Sequence, residues 1–288
     1  MNQILEGLLL LLQPRQIEDD HFLGESRDLG FSQVFGGQVL GQALFAACRT
    51  VDHGWLPHSL HAYFLRPGAA DAPILYEVDR IRDGRSFATR RVVARQRRKA
   101  IFNLAASFQV SEEGFEHQNE KPEVTGPEGI QTELERIRAM AHMLPERLKD
   151  IWLRDRPVEI RVVDPPAYPN PEPRDPLRHA WMRASGPLPD DPVLHCCLLA
   201  YASDFQLLGT CLQPHGKTFM SKGLKVASLD HALWFHRPFR FDDWLLYAMD
   251  SPSASGARGL NRGSFFDGTG ALVASVAQEA LIRHREDP

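Results

Sequence analysis

Hydrophobic and polar positions along this chain fall into two kinds of run, and each kind occurs twice in the same order. Segments in which apolar and polar residues alternate predict β-strands at residues 59–65, 74–79, 87–95 and 101–110, and again at 227–235, 244–250, 257–266 and 271–282. Turn signals separate them, RDGR at 82–85, RRK at 97–99 and DGTG at 267–270. Short strands joined by short turns imply an antiparallel sheet. Ahead of each set lies an apolar stretch of helical length, 37–50 and 192–208. In the second, PVLHCCLLAYASDFQLL, apolar residues occur at nearly every angle of a 3.6-residue turn, the pattern of a helix buried on all sides. Pro192 in its first turn, behind Asp190 and Asp191, makes an acceptable helix start. One buried helix per set of strands requires a sheet that curls around it. Further strands are expected at 21–23, 158–163 and 180–184, and the Leu8 to Leu12 run reads as an amphipathic helix docked on a core.

The two sets are copies. At a constant offset of 171, Phe64 falls opposite Phe235, Arg66 opposite Arg237, Pro67 opposite Pro238, Leu75 opposite Leu246, Tyr76 opposite Tyr247 and Asp79 opposite Asp250. Ala100 and Ala106 fall opposite Ala271 and Ala277, so the register persists over about 45 residues, as in an internal repeat. The expected division is a first unit at 1–115, a connector at 116–153 holding an amphipathic helix at 132–149, and a second unit at 154–288. Residues 165–176 are rich in proline and read as a surface excursion.

Composition narrows the class. With 43% hydrophobic and 24% charged residues among 288, the chain is an ordinary globular protein. A formal charge of −4 offers nothing that would recruit nucleic acid or an anionic membrane. The Leu8 to Leu12 run is far too short to span a bilayer, which takes about 20 apolar residues, and it lacks the basic start and cleavage site of a signal peptide. Cys48, Cys196, Cys197 and Cys211 match no zinc spacing and read as packed thiols in a reducing, cytoplasmic setting. The residue out of place is Asp204, a carboxylate in an oily run, where a charge without a partner is costly.

The words FGGQVLGQAL (35–44), HSLHAYFLRPG (58–68), LLAYASDFQLL (198–208), LDHALWFHRP (229–238), WLLY (244–247), SASGARG (253–259) and VASVAQE (273–279) resemble the acyl-CoA thioesterase II family, TesB-like proteins, over nearly the whole chain. The resemblance implies an α+β tandem double hot-dog, with two antiparallel sheets each wrapped around a long buried helix. It implies hydrolysis of acyl-CoA to free acid and CoA, with acyl-CoA as partner and no metal or organic cofactor. The family's catalytic Asp, Ser or Thr, and Gln fall on Asp204, Ser228 and Gln278; Ser228 keeps the hydroxyl where some members carry threonine.

The chemistry of those residue types suits the reaction. Thioester hydrolysis needs a water held near the carbonyl carbon, an acceptor for its proton and donors for the developing oxyanion. A desolvated carboxylate can accept the proton, and a hydroxyl and an amide, each both donor and acceptor, can hold the water. At the repeat offset, Gln278 corresponds to Ser107 and Ser228 to Pro57, so the full trio belongs to the second copy alone.

Other residues are candidates of lower rank. His58 and His61 alternate on one strand beside the first helix, and His58 is a candidate substrate contact. Arg258, between small residues, is a candidate contact for CoA phosphate, as is the basic hairpin from Arg90 to Lys99, although a charged turn is more often merely solvated. Asp230 and His231 are adjacent on a strand and face opposite sides, which argues against a direct dyad. Neither GxSxG, HExxH, a Walker A lysine nor a strand-bound GxGxxG occurs. The alternatives are a hot-dog hydratase or dehydratase, for which no GDxNP-like motif is found, and a non-catalytic acyl-CoA binder. Sheet edges that need covering point to a homo-oligomer, dimer or tetramer, with no stable membrane association.

Overall fold

In the computed structural model, which describes residues 2–30, 33–144, 146–167 and 171–285, the repeat is visible in the order of the elements. The first half runs α1 (Gln3–Leu11), β1 (Arg15–Glu18), β2 (His21–Gly24), α2 (Gly36–Cys48), β3 (Leu56–Phe64), β4 (Ile74–Asp83), β5 (Phe87–Gln96) and β6 (Lys99–Gln109). A connector carries α3 (Glu133–Ala139), a 3-10 turn (Ala141–Met143) and α4 (Glu146–Trp152). The second half runs β7 (Val158–Val162), β8 (Leu177–Ala184), α5 (Pro192–Ala202), a 3-10 segment (Leu208–His215), β9 (Leu224–Ser228), β10 (Asp230–Phe235), β11 (Leu245–Ser255), β12 (Arg258–Phe266) and β13 (Leu272–His284).

The strands form where alternation put them, and burial alternates along β5, β7 and β12. The two expected sheets run together as one antiparallel sheet in the order β1-β2-β4-β5-β6-β3-β10-β13-β12-β11-β8-β7, with β9 on the edge of β13. The seam is β3 against β10, where His61 faces Ala232, Ala62 faces His231 and Leu60 faces Leu233. Residues 61 and 232 are themselves separated by the repeat offset of 171, and that shift exchanges the other two pairs. A pseudo-two-fold axis therefore crosses the seam at His61 and Ala232. Matching side-chain contacts repeat across it: Arg91 donates to Asp79 in the first half, and Arg262 donates to Asp250 in the second.

The sheet wraps both long helices, and one core runs through the two halves. The helices pack backbone to backbone, because glycines occupy α2 where it meets α5. A Cβ on Gly37 would lie 2.2 Å from the Tyr201 carbonyl oxygen, and one on Gly41 would lie 3.0 Å from that of Cys197. All four cysteines are free and buried. Among the described residues no helix is long and apolar enough to cross a membrane.

Three expectations are modified. The apolar run 192–208 is helical only to Ala202; Ser203 closes the helix, and the chain turns before the 3-10 segment, with Gln206 in the left-handed region at φ 67°. Apolarity alone does not distinguish a buried helix from a buried turn. The expected strand 227–235 bends at Leu229 into β9 and β10, since the Leu229 N–H donates to Glu279 while its carbonyl accepts from Phe64. The connector helix 132–149 is broken: Leu144, which precedes a proline in the sequence, is extended as pre-proline residues prefer. The connector is also pinned along the second half, where Trp181 donates its indole N–H to the Thr125 carbonyl. Of the proline-rich excursion 165–176, residues 168–170 lie outside the described residues.

Candidate active site

Asp204 sits two residues past the end of α5, in the turn just described. That turn is clamped from two directions. Glu133 of α3 accepts from the Gln206 side chain at 2.6 Å, and Arg178 of β8 donates to the Gln206 Oε1 at 3.0 Å. Arg178 is buried, which lowers its pKa to about 10, and its Nε donates to Gln213 in the 3-10 segment at 2.8 Å. A guanidinium placed so deep, with amides and carbonyls for partners, fixes the chain that follows Asp204, at Gln206, Gly209 and Gln213.

The carboxylate itself points across the seam between the halves. Its Oδ2 accepts from the Gly37 N–H at 2.9 Å, in the first turn of α2, where the helix dipole favours negative charge. A Cβ on Gly36 would lie 2.7 Å from the same oxygen, so the glycine leaves room for the acid. Burial raises the Asp204 pKa to about 6, and the hydrogen bonds from Gly37 and the Gln278 side chain hold it from rising further.

Gln278, on β13, is fully buried and joins the other two predicted residues. Its Nε2 donates to Ser228 Oγ at 2.6 Å, and its amide lies close enough to Asp204 to hold the acid's pKa down. Three groups far apart in sequence thus meet at one point, brought there by the turn after α5, the end of β9 and the middle of β13. Asp204 and Ser228 border a cleft of about 320 Å³, with Gln278 buried behind them; its walls come from both halves, Val39, Phe64 and Phe102 from the first and Val226 from the second.

The other candidates lie elsewhere. His58 does not line this cleft; it bonds Ser107 at 2.8 Å and sets its ring edge-on to Phe87. Its partner Ser107 is the repeat counterpart of Gln278, so the pair marks the corresponding position of the first half. Arg258 is held by Glu279 at 2.8 Å and borders a separate depression with His215, Lys217 and His284. The basic hairpin spends Arg91 on Asp79 and Arg95 on Glu77, while Arg90 is buried against Thr50 and Asp83.

The sequence reading passed over His231. It is right that Asp230 and His231 point apart: Asp230 accepts from the Glu279 N–H, while His231 turns inward. Inward, however, His231 Nδ1 lies 2.7 Å from Gln278 Oε1 and its Nε2 lies 2.9 Å from Ser203 Oγ. The β10 to β13 register, Ala232 opposite Ala277, produces that meeting, and a register is not written in either strand alone.

Residues 164–281 match the family model described as acyl-CoA thioesterase, and residues 26–109 match that of the acyl-CoA thioesterase N-terminal domain. The chain is 44% identical to Acyl-CoA thioesterase 2 of Haemophilus influenzae, over 99% of this chain and 100% of that protein. It is similar to the crystal structure of the acyl-CoA thioesterase II TesB2 from Mycobacterium marinum, with TM-score 0.79 and 40% identity over 97% of this chain and 99% of that one. The hot-dog fold protein of Alicyclobacillus acidocaldarius superposes with TM-score 0.78 at 18% identity, covering 97% and 99% of the two chains, a likeness of fold.

Proposed function

Because the chain belongs to the acyl-CoA thioesterase family and is a thioester hydrolase, we propose that a water held by Asp204, Ser228 and Gln278 attacks the thioester carbonyl directly. Asp204 is the general base. Its carboxylate, with a pKa near 6, is ionised at neutral pH yet basic enough to accept a proton from water as the C–O bond forms. Ser228 and Gln278 position that water and the acid. The first turn of α2, where Gly36 lines the cleft, turns its positive end toward the oxygen on which charge develops. Collapse of the tetrahedral intermediate breaks the C–S bond; the thiolate of CoA leaves and takes up the proton, restoring the Asp204 carboxylate. The products are the free acid and CoA.

The acyl chain lies against Val39, Phe64 and Phe102, where each buried CH2 contributes about 0.8 kcal/mol. We further assign residues 1–115 and 154–288 as the two hot-dog units joined by 116–153, and place the protein in the cytoplasm, in fatty acid and acyl-CoA metabolism. Outer strands β1 and β7 end the sheet, and cover for such edges favours a homo-oligomer, dimer or tetramer.

The observation that carries the mechanism is the Gln278 amide, bonded to Ser228 and beside Asp204, the two polar side chains at one end of the cleft. Release of CoA thiol from an acyl-CoA tests it. Asp204→Asn should lower kcat about 10²–10⁴-fold, the worth of a positioned base, without loss of fold. A variant turning over at nearly the normal rate removes Asp204 from the mechanism. Thiol release also separates hydrolysis from hydration or mere binding, neither of which frees CoA.

A further inference from the structure

Resting on the Asp204, Ser228 and Gln278 reading, we propose that His231, backed by Ser203, is a positioning residue that holds the Gln278 side-chain amide one way round. Ser203, His231 and Gln278 are all fully enclosed, so every polar atom among them must find its partner inside the protein. Gln278 has one donor end and one acceptor end. The donor end serves Ser228 Oγ at 2.6 Å and faces the Asp204 carboxylate, whose pKa it lowers, and the acceptor end, Oε1, lies 2.7 Å from His231 Nδ1.

An amide rotated by 180° would present its oxygen to the carboxylate and withdraw the donor from Ser228. That orientation fits only an imidazole with a bare Nδ1. The observed one requires the hydrogen on Nδ1, which leaves Nε2 as acceptor. Ser203 Oγ lies 2.9 Å from that Nε2 and 3.0 Å from the Ala200 carbonyl oxygen, so its single hydrogen has two acceptors to serve. Burial also lowers the His231 pKa, to about 4, so the ring is neutral where the enzyme works and offers one donor and one acceptor. The hydrogen on Nδ1 therefore holds Oε1 toward His231, and the amide aims its own hydrogens at the site.

The relay closes on itself. Ser203 is the residue before Asp204, and its backbone carbonyl is fixed by the Tyr247 hydroxyl at 2.9 Å. A single ring of bonds thus joins the end of α5, β10 and β13, and the acid and the amide that meet in the cleft are parts of it. His231 touches neither water nor substrate; it acts through Gln278.

Steady-state kinetics of the full chain with single and double variants test this. His231→Leu removes the donor to Oε1 and should lower kcat about 10–100-fold, the effect of a small misplacement, with KM within about twofold. His231→Asn places an amide N–H where Nδ1 was and should recover most of that loss. In a Gln278→Ala background His231→Leu should cost nothing more, because the group it orients is gone. Normal kcat in His231→Leu, equal losses with and without Gln278, or no recovery by Asn in a folded variant would each overturn the proposal. Should His231→Leu fail to fold, Ser203→Ala carries the same test, with a smaller fall in kcat that disappears in the Gln278→Ala background; a fall that persists there overturns it. Gln278→Ala with normal kcat would instead overturn the underlying water-holding reading, whereas an inactive Gln278→Ala beside an unaffected His231→Leu overturns the relay alone.

Discussion

The two halves share a frame and differ in what is hung on it. Each has its strands, its buried tyrosine and its Asp–Arg pair at the same offset of 171. The helices do not keep that offset. They start at Gly36 and Pro192, 156 residues apart, so the second half has fifteen more residues between helix start and strand than the first. That longer passage holds the turn with Asp204 and the 3-10 segment, whereas Ser228 and Gln278 stand at the sheet positions that Pro57 and Ser107 occupy in the first half. The tyrosines record the same divergence: Tyr76 donates to Gln42 within α2 at 2.6 Å, whereas Tyr247 donates to the Ser203 carbonyl beside the acid at 2.9 Å. The second copy thus differs by a longer connection and by the side chains at two sheet positions, while the strand register beneath is shared.

The sharpest way to break this comparison is to treat corresponding positions alike. Gln278→Ala should lower kcat by about 10²-fold or more, while Ser107→Ala, its counterpart, should leave kcat within about twofold, both read by thiol release. Equal losses would place chemistry in both halves.

A second effect of similar size follows from the pKa of Asp204. The folded chain keeps this proton up to about pH 6, whereas an ordinary aspartate releases it near 3.8. Raising the pH through that window therefore takes stability away, and at pH 7 the full penalty is present, at most about 3 kcal/mol and less because the cleft admits some solvent. Asp204→Asn should raise the melting temperature at pH 7 and lose that advantage below about pH 4. The same ionisation should give kcat/KM an acid limb near pH 6, with activity lost as the carboxylate is protonated.

Gly37→Ala tests the helix contact, since its methyl would meet the Tyr201 carbonyl; a loss of about 1–3 kcal/mol by thermal unfolding is expected. Tyr76→Phe and Tyr247→Phe should each cost about 1 kcal/mol, and only the second should also lower kcat. Smallest of all, Asp79→Ala and Asp250→Ala should each change stability by less than about 1 kcal/mol, because both ion pairs are well exposed.

Much of this was legible in the sequence because alternation and duplication are local signals. Apart from β1, which has no counterpart among the expected strands, the strands lie within about five residues of the predicted ends, and Asp204 stands out as a charge in an apolar run. The end of α5 did not show, because Gln206 turns the chain only with Arg178 and Glu133 holding it, and both come from distant segments. The convergence of Ser228 and Gln278 on Asp204 came from the family's motifs and not from spacing. His231 was set aside because it was weighed against its sequence neighbour, while its partners lie 28 and 47 residues away.

The axis through His61 and Ala232 has a further consequence. Two separate identical subunits related by such an axis would meet every alteration twice, once in each copy, and any loop enlarged near the seam would confront its own image. Joined in one polypeptide, the copies are released from that obligation. One can thicken a connection and acquire an acid while the other fills the opposite space with a tight, conventional turn, and neither has to fit against a twin.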